Sequence, residues 1–268
     1  MKRAVYALLG AMAATQSVYA QVTTQGRTQV ARSVEHRFEV ALVAGQDSRR
    51  DETASPLLYS GLAGGASLGY ERVSERTTFS ASADARVARL LPSVRSPGAQ
   101  PNELFTDAAF RVGFARALNA RRETTNEFTL GAELGADISG VRHTYADPSR
   151  REHDYGMGLA TLGPQASWAR RIAGGAAALR VSVPLAAFVV RPYADLRTAQ
   201  GGWPSRFAFP STFQQVRTEL SYARPLSSYL DLSARYRFDV TRVNGEQPIR
   251  SATQSLRFGF VLRAGGER

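Results

Sequence analysis

The chain contains no cysteine, which excludes disulfide bridges and thiolate metal sites. Three histidines in 268 residues leave little material for a histidine-based metal centre. Lysine occurs only at Lys2, so every other basic side chain is arginine. A basic run and a nucleic-acid-binding motif are also missing. We therefore expect no metal, no cofactor and no nucleic-acid partner.

Long apolar runs are scarce too. The run at residues 4–13 follows Lys2 and Arg3 and precedes Val18-Tyr19-Ala20, which has small residues at the usual cleavage positions. This arrangement is typical of a secretory signal peptide, here residues 1–20. An N-terminal anchor helix has less support, because a membrane-spanning helix needs about 20 apolar residues. Removing the peptide lowers the formal net charge from +11 to +9.

What the chain does contain is a long alternation of apolar and polar residues. Residues 229–242 read YLDLSARYRFDVTR, with apolar side chains at the even positions from 230 to 240 and polar ones between them. This pattern predicts a strand with one oily and one charged face. Globular strands average roughly five or six residues, whereas a tilted membrane-spanning strand needs about nine to eleven. The stretch therefore favours a transmembrane strand.

Ten segments carry such alternation, and they lie at residues 36–44, 58–72, 77–90, 103–117, 125–142, 153–171, 177–191, 212–224, 229–242 and 252–263. The connections at 46–57, 91–102, 143–152, 192–211 and 243–250 are long, and those at 73–76, 118–124, 172–176 and 225–227 are short. Alternating long and short connections predict an antiparallel transmembrane β-barrel of about ten strands, with long extracellular loops and short periplasmic turns. Residues 21–35 then form a periplasmic lead-in and residues 36–268 the barrel.

Two segments are irregular. In the segment 153–171 the apolar residues change parity around Gly163-Pro164, which predicts a β-bulge there. Pro184 lies inside the segment 177–191 and conflicts with a fully paired strand, because proline has no N–H to donate.

The leader, the alternating strands, the two classes of connection and a final strand ending RFGFVL at residues 257–262 together resemble the bacterial outer-membrane β-barrel proteins. The resemblance implies a location in the Gram-negative outer membrane, contact with its lipid and lipopolysaccharide, and assembly by the barrel-assembly machinery. It indicates no particular protein partner. A secreted soluble β-sandwich would also alternate, but so many long strands fit that fold poorly.

Charged residues on the inward parity fall into two groups at mid-height, acids on the third to fifth strands and arginines on the last three. A ten-stranded barrel is only slightly wider than one filled by its own side chains, so these groups should meet across the lumen. The predicted network comprises Asp84, Arg86, Asp107, Glu133, Asp137, Arg217, Arg235, Arg237 and Arg257. It indicates a barrel of structural, adhesive or narrow-conduit (porin-like) type.

An enzymatic alternative is an outer-membrane hydrolase with a site at the extracellular rim. The omptin proteases use paired aspartates and an Asp-His dyad, and here the candidates are His143, His153 and Asp154. The paired-aspartate motif is missing, because Ala85 follows Asp84. A barrel lipid hydrolase with serine and histidine is a further analogy, and an accessory barrel in envelope export or assembly is a third class.

On the third, fifth, seventh and ninth strands, the outward face ends in an arginine at the long-loop rim. These residues are Arg89, Arg142, Arg191 and Arg242. Charged side chains cost little at the membrane interface, and guanidinium groups bind phosphate bidentately. The pattern predicts a belt that contacts lipopolysaccharide, or else only the end of the apolar band.

Overall fold

The computed structural model describes residues 34–51, 55–94, 101–119, 126–145, 153–191, 205–244 and 248–265. The predicted signal peptide and nearly all of the lead-in lie outside these residues. The strands are β1 (Glu35–Asp51), β2 (Ser55–Val73), β3 (Thr77–Pro92), β4 (Asn102–Ala117), β5 (Asn126–Thr144), β6 (His153–Ile172), β7 (Gly175–Ser182), β8 (Ala186–Val190), β9 (Ser205–Ala208), β10 (Phe213–Pro225), β11 (Leu230–Val243) and β12 (Ile249–Gly265). No helix in the described ranges is long and apolar enough to span a membrane.

The sheet is antiparallel and closes on itself, because β1 pairs with both β2 and β12 and β5 pairs with both β4 and β6. Strand β7 pairs with β6 and β10, and β8 pairs with β6 and β9. The segments β7 and β8 are therefore halves of one strand, as are β9 and β10. The predicted ten-stranded antiparallel barrel is confirmed.

The strands are tilted to the barrel axis. Following direct cross-strand partners from Phe128 on β5 through every strand of the ring returns to β5 at Gly140, twelve residues further along. Such a stagger is required to close a twisted sheet into a barrel. We call the end with Glu35 and Gly265 the terminal rim and the end with Asp51 and Ile249 the loop rim.

The two faces of the wall differ as the alternation predicts. Leu62 on β2 is 82% exposed, while the next residue, Ala63, faces the lumen and is 8% exposed. The outward face of β12 is formed by Leu256, Phe258, Phe260 and Leu262, all about half exposed. An apolar outer band is required of a barrel wall that faces lipid.

The connections differ from the predicted ones in length. The predicted long connections 46–57 and 243–250 are short, because β1 and β2 continue to residues 51 and 55 and β11 and β12 to residues 243 and 249. The connection between β4 and β5, predicted to be short, spans residues 118–125 and equals the 145–152 connection at the other rim. The connections at the loop rim are longer on average than those at the terminal rim, and this difference comes from 93–101, 145–152 and 191–204.

The predicted bulge in the segment 153–171 is wrong. Strand β6 pairs with β5 without a register shift, and the extra residue lies in its other neighbour, between β7 and β8. Gln165 pairs with Ser182 but Leu162 pairs with Ala186, so four steps on one strand face three on the other. Pro184 lies in this interruption, as expected for a residue that cannot donate to the ladder.

Gly163 allows this interruption. A Cβ at Gly163 would lie 2.4 Å from the Cα of Pro184, too close for any side chain. We predict that Gly163→Ala lowers barrel stability by about 1–3 kcal/mol through overpacking. The matched control is Gly158→Ala on the same strand, where the added Cβ would lie 3.6 Å from Val190 in ordinary contact. Thermal unfolding in detergent measures both variants, and equal melting temperatures would contradict the steric argument.

Candidate functional site

A layer of ion pairs crosses the lumen at mid-height. From β11, Arg237 donates hydrogen bonds to Asp84 on β3 (3.3 Å) and to Asp239 (3.1 Å). From β12, Arg257 donates to the same Asp84 oxygen at 3.1 Å and contacts Ser67 on β2. Most inward residues of β2 between Tyr59 and Glu71 are small, namely Gly61, Ala63, Gly65, Ser67 and Gly69.

The same layer continues on the other side of the barrel. Arg217 on β10 pairs with Asp239 (3.0 Å) and with Glu133 on β5. Arg111 on β4 pairs with Asp137 and donates to the carbonyl oxygen of Ala136 at 3.0 Å. Its aliphatic part lies over Gly135, where a Cβ would be 3.1 Å from the Arg111 Cδ. Buried charges are tolerated only when paired in this way.

Further pairs lie above and below this layer. Towards the loop rim, Arg86 bridges Asp47 (3.2 Å) and Asp107 (2.6 Å). Towards the terminal rim, Arg235 pairs with both Glu39 and Glu219. The charge network therefore extends over much of the lumen's height.

All nine residues proposed for the lumen network point inward, and each forms at least one ion pair. The sequence reasoning omitted further members, namely Glu39, Asp47, Glu71, Arg111, Arg180, Glu219 and Asp239. Their inward parity was available from the sequence, since Asp239 lies between Phe238 and Val240 and Glu219 precedes Leu220. What the sequence does not give is the distance across the lumen.

Two cavities flank the mid-height layer. The larger, about 240 Å³, lies towards the terminal rim, and the smaller, about 80 Å³, lies towards the loop rim. Arg237 and Arg257 line both of them. Buried oxygens of Asp47, Asp137 and Gln215 around the smaller cavity accept no hydrogen bond from the described residues, so they can accept one from water.

At the loop rim the lumen contains two apolar clusters. One buried cluster is formed by Tyr59, Ala63, Ala88, Leu90, Phe105 and Val141. A second is formed by Met157, Leu159, Ala187, Val189, Ala208, Phe213, Val243 and Ile249. A buried ion pair from Arg191 to Asp51 (2.7 Å) crosses the mouth near them. The rim is thus packed like a protein core.

His143 and Asp154, the two catalytic candidates whose side chains the structure describes, do not meet in an open cleft. His143 is 3% exposed, and its Nδ1 lies 3.3 Å from Glu103 Oε1 within the barrel mouth. Asp154 faces outward and accepts hydrogen bonds from Arg142. His153 pairs with His143 through the backbone, and its side chain is outside the described part of the chain. His143 and Asp154 therefore lie on opposite faces of the wall.

The proposed arginine belt needs one correction. Arg89, Arg142 and Arg242 face outward and are exposed, but the predicted outward direction of Arg191 is wrong. Arg191 is 7% exposed inside the mouth, and Val189, also predicted outward, is 2% exposed. The extra residue between β7 and β8 reverses the parity of β8, which turns both side chains inward.

No family model matches the chain, and no curated protein does. Among solved structures, the outer membrane protease OmpT from Escherichia coli is similar, with 7% identity and a TM-score of 0.53 over 90% of this chain and 100% of OmpT. The fold is that of a bacterial outer-membrane β-barrel. The translocator domain of the autotransporter NalP from Neisseria meningitidis is another such barrel, with 10% identity and a TM-score of 0.48 over 97% of each chain. At these identities the likeness concerns the fold alone.

The ion-pair layer of this outer-membrane β-barrel should contribute to its free energy of unfolding. Arg237→Ala leaves one arginine beside Asp84 and one beside Asp239. We expect a loss of about 3 kcal/mol or more, because two hydrogen bonds to charged groups are lost at roughly 1.5–3 kcal/mol each. Arg37→Ala is the control, since that side chain is 39% exposed near the terminal rim and its ion pairs contribute at most about 1 kcal/mol. Urea unfolding in lipid vesicles measures both. Similar losses of unfolding free energy for the two variants would show that the layer stabilises the barrel no more than an exposed ion pair does.

Proposed function

We propose that this protein is a closed outer-membrane barrel with a structural or adhesive role, which displays the connections of its loop rim at the cell surface. The observation that carries the proposal is the ion-pair layer in which Asp84 meets Arg237 and Arg257 across the lumen. An open pore needs continuous water at this height, whereas these side chains occupy it. Any transport is then limited to water and small ions.

The packed mouth supports the same function. A solute entering from the loop rim first meets the two apolar clusters and the ion pair of Arg191 with Asp51. It next meets the mid-height layer, so two barriers lie in series. Opening either one requires separating buried charges, which is costly in a low-dielectric site.

The hydrolase alternative has weaker support. A general base must reach the proton that it removes, within about 2.6–3.2 Å of a bound substrate or through one water. His143 and Glu103 are both buried, and Tyr59 packs edge-on against the His143 ring at 5.6 Å. We therefore favour a structural role for this pair.

Conductance tests the closed lumen. We expect the parent protein to show little or no single-channel current in planar bilayers. The double variant Arg237→Ala/Arg257→Ala removes the two side chains that line both cavities, and with them one of the two barriers in series, so its current should rise above the parent's without reaching that of an open pore. The control is Arg37→Ala/Arg235→Ala, which enlarges only the cavity at the terminal rim and should stay closed. A parent protein that conducts like an open pore would contradict the proposal.

Surface display tests the orientation. An epitope tag inserted in the 192–204 connection at the loop rim should be labelled on intact cells. A tag at 226–228, between β10 and β11 at the terminal rim, should be labelled only after the cells are permeabilised. The reverse pattern would show that the loop rim faces the periplasm.

A further inference from the structure

Five buried side-chain oxygens around the smaller cavity have no hydrogen-bond partner among the described residues. They belong to Asp47, Asp84, Asp137, Ser139 and Gln215, and all five residues line this one cavity of about 80 Å³. Apart from the serine hydroxyl, these atoms are carboxylate or amide oxygens, which only accept hydrogen bonds. Buried polar atoms without partners cost free energy, so the cavity needs an occupant that offers them hydrogens or positive charge.

The two neutral members of this set are as enclosed as the carboxylates. Ser139 on β5 is 7% exposed and Gln215 on β10 is 4% exposed. The Gln215 amide nitrogen donates to Asp239 at 3.2 Å and to Thr241 at 3.1 Å, so only its oxygen is left unused. The cavity is therefore lined by neutral as well as charged oxygen ligands, which come from opposite sides of the barrel.

The carboxylates beside the cavity are not fully compensated. Arg86 is shared by two of them, Asp47 at 3.2 Å and Asp107 at 2.6 Å. Arg49 also lines the cavity, but it is paired with Asp51 at 3.2 Å. The other arginines of the lining are engaged by the acids of the mid-height layer. The group around Arg86 therefore carries one more negative charge than positive charge in a buried place, where such a surplus is costly.

Water alone suits this cavity poorly. Each water molecule brings two hydrogens, but its own oxygen also needs donors, and buried waters typically make about three hydrogen bonds. A cation reverses this balance, because the waters around it direct their oxygens to the ion and their hydrogens to the protein. The ion also compensates the surplus charge of the Arg86 group. A cation with a few waters therefore satisfies the unpartnered oxygens better than water does.

The ligands indicate which kind of cation fits. The scarcity of cysteine and histidine excludes thiolate and imidazole sites, but hard cations bind oxygen. Among the described residues, no three acidic or histidine side chains converge closely enough to hold a metal ion. A divalent ion fits poorly for this reason, since Ca²⁺ takes about six to eight oxygen ligands and Mg²⁺ demands near-ideal octahedral geometry. A cavity of about 80 Å³ holds a small ion with a few waters, at about 30 Å³ for each water.

We propose that the smaller cavity binds a small monovalent cation, of which Na⁺ is the type, together with a few waters. Asp47 supplies the unshared carboxylate oxygen, and Ser139 and Gln215 supply neutral oxygens. The bound ion occupies the space between the mid-height layer and the packed mouth, and it completes the charge balance of the closed lumen. Binding in this cavity does not depend on which rim faces the cell surface.

Urea unfolding of the full mature protein in lipid vesicles tests the site. Tetramethylammonium chloride is replaced stepwise by sodium chloride, which keeps the ionic strength and its screening constant. Tetramethylammonium is bulky and cannot donate a hydrogen bond. An ion that binds only the folded barrel raises the unfolding midpoint as its concentration increases. We therefore expect the midpoint of the parent to rise with Na⁺ concentration.

Three variants locate the ion. Asp47→Asn keeps the shape of the side chain but removes the surplus charge, so the rise should be lost. Ser139→Ala deletes an oxygen that has no partner among the described residues, and the Na⁺ concentration for half the rise should increase about tenfold, the scale of one lost contact to a charge. The control is Asp231→Asn, the same charge change at a buried residue that pairs with Arg263 at 2.9 Å and lines the larger cavity. It should respond to Na⁺ as the parent does.

Each alternative has its own outcome. A parent with the same midpoint in the two salts would show that the cavity holds water only, which overturns the site. A Na⁺ response that persists in Asp47→Asn, or that Asp231→Asn loses as well, would place the ion elsewhere. If Asp47→Asn does not fold, Ser139→Ala still decides, because it removes neither a charge nor a hydrogen bond between described residues. Conductance and epitope labelling are separate measurements, so failure of the ion site and failure of the proposed function are distinguishable.

Discussion

The shared use of Asp84 by two arginines is the interaction on which the rest of the lumen depends. A carboxylate 5% exposed in a barrel interior is stable only with a cation beside it, and here Arg237 and Arg257 lie at 3.3 and 3.1 Å. Arg257 also reaches Ser67 on β2 at 3.4 Å. Arg237 then links to Asp239, and Asp239 to Arg217, so the pairing extends across the lumen.

Strand parity explains how much could be predicted from sequence. Which face a side chain takes is set by alternation along one strand, so the outer band and all nine network residues follow from local pattern. Which acid meets which arginine is set by strand tilt and lumen width, and these are not local. The Arg86–Asp47 and Arg235–Glu39 pairs could not be derived for this reason.

The errors share one cause, which is that the inward face near the loop rim carries apolar side chains beside its charged ones. Near the loop rim, Met157, Leu159 and Phe213 point inward into a packed core. On β6 this apolar interior imitates a change of parity. On β8 a real change, caused by the extra residue at Pro184, was missed because Val189 is as apolar as an outward residue. Arg191 consequently forms an ion pair with Asp51 inside the mouth and does not lie on the outer surface.

The layer also has a consequence for how the chain folds. The acids Glu39 on β1 and Asp84 on β3 come early in the chain, whereas the arginines that pair with them are on the last two strands. Arg237 and Arg257 lie 153 and 173 residues from Asp84. An incomplete barrel without the final two strands would hold these carboxylates uncompensated. Contacts this distant in sequence form late in folding. These two carboxylates are therefore compensated only when β11 and β12 have joined the barrel, so closing the seam between β1 and β12 also completes their ion pairs.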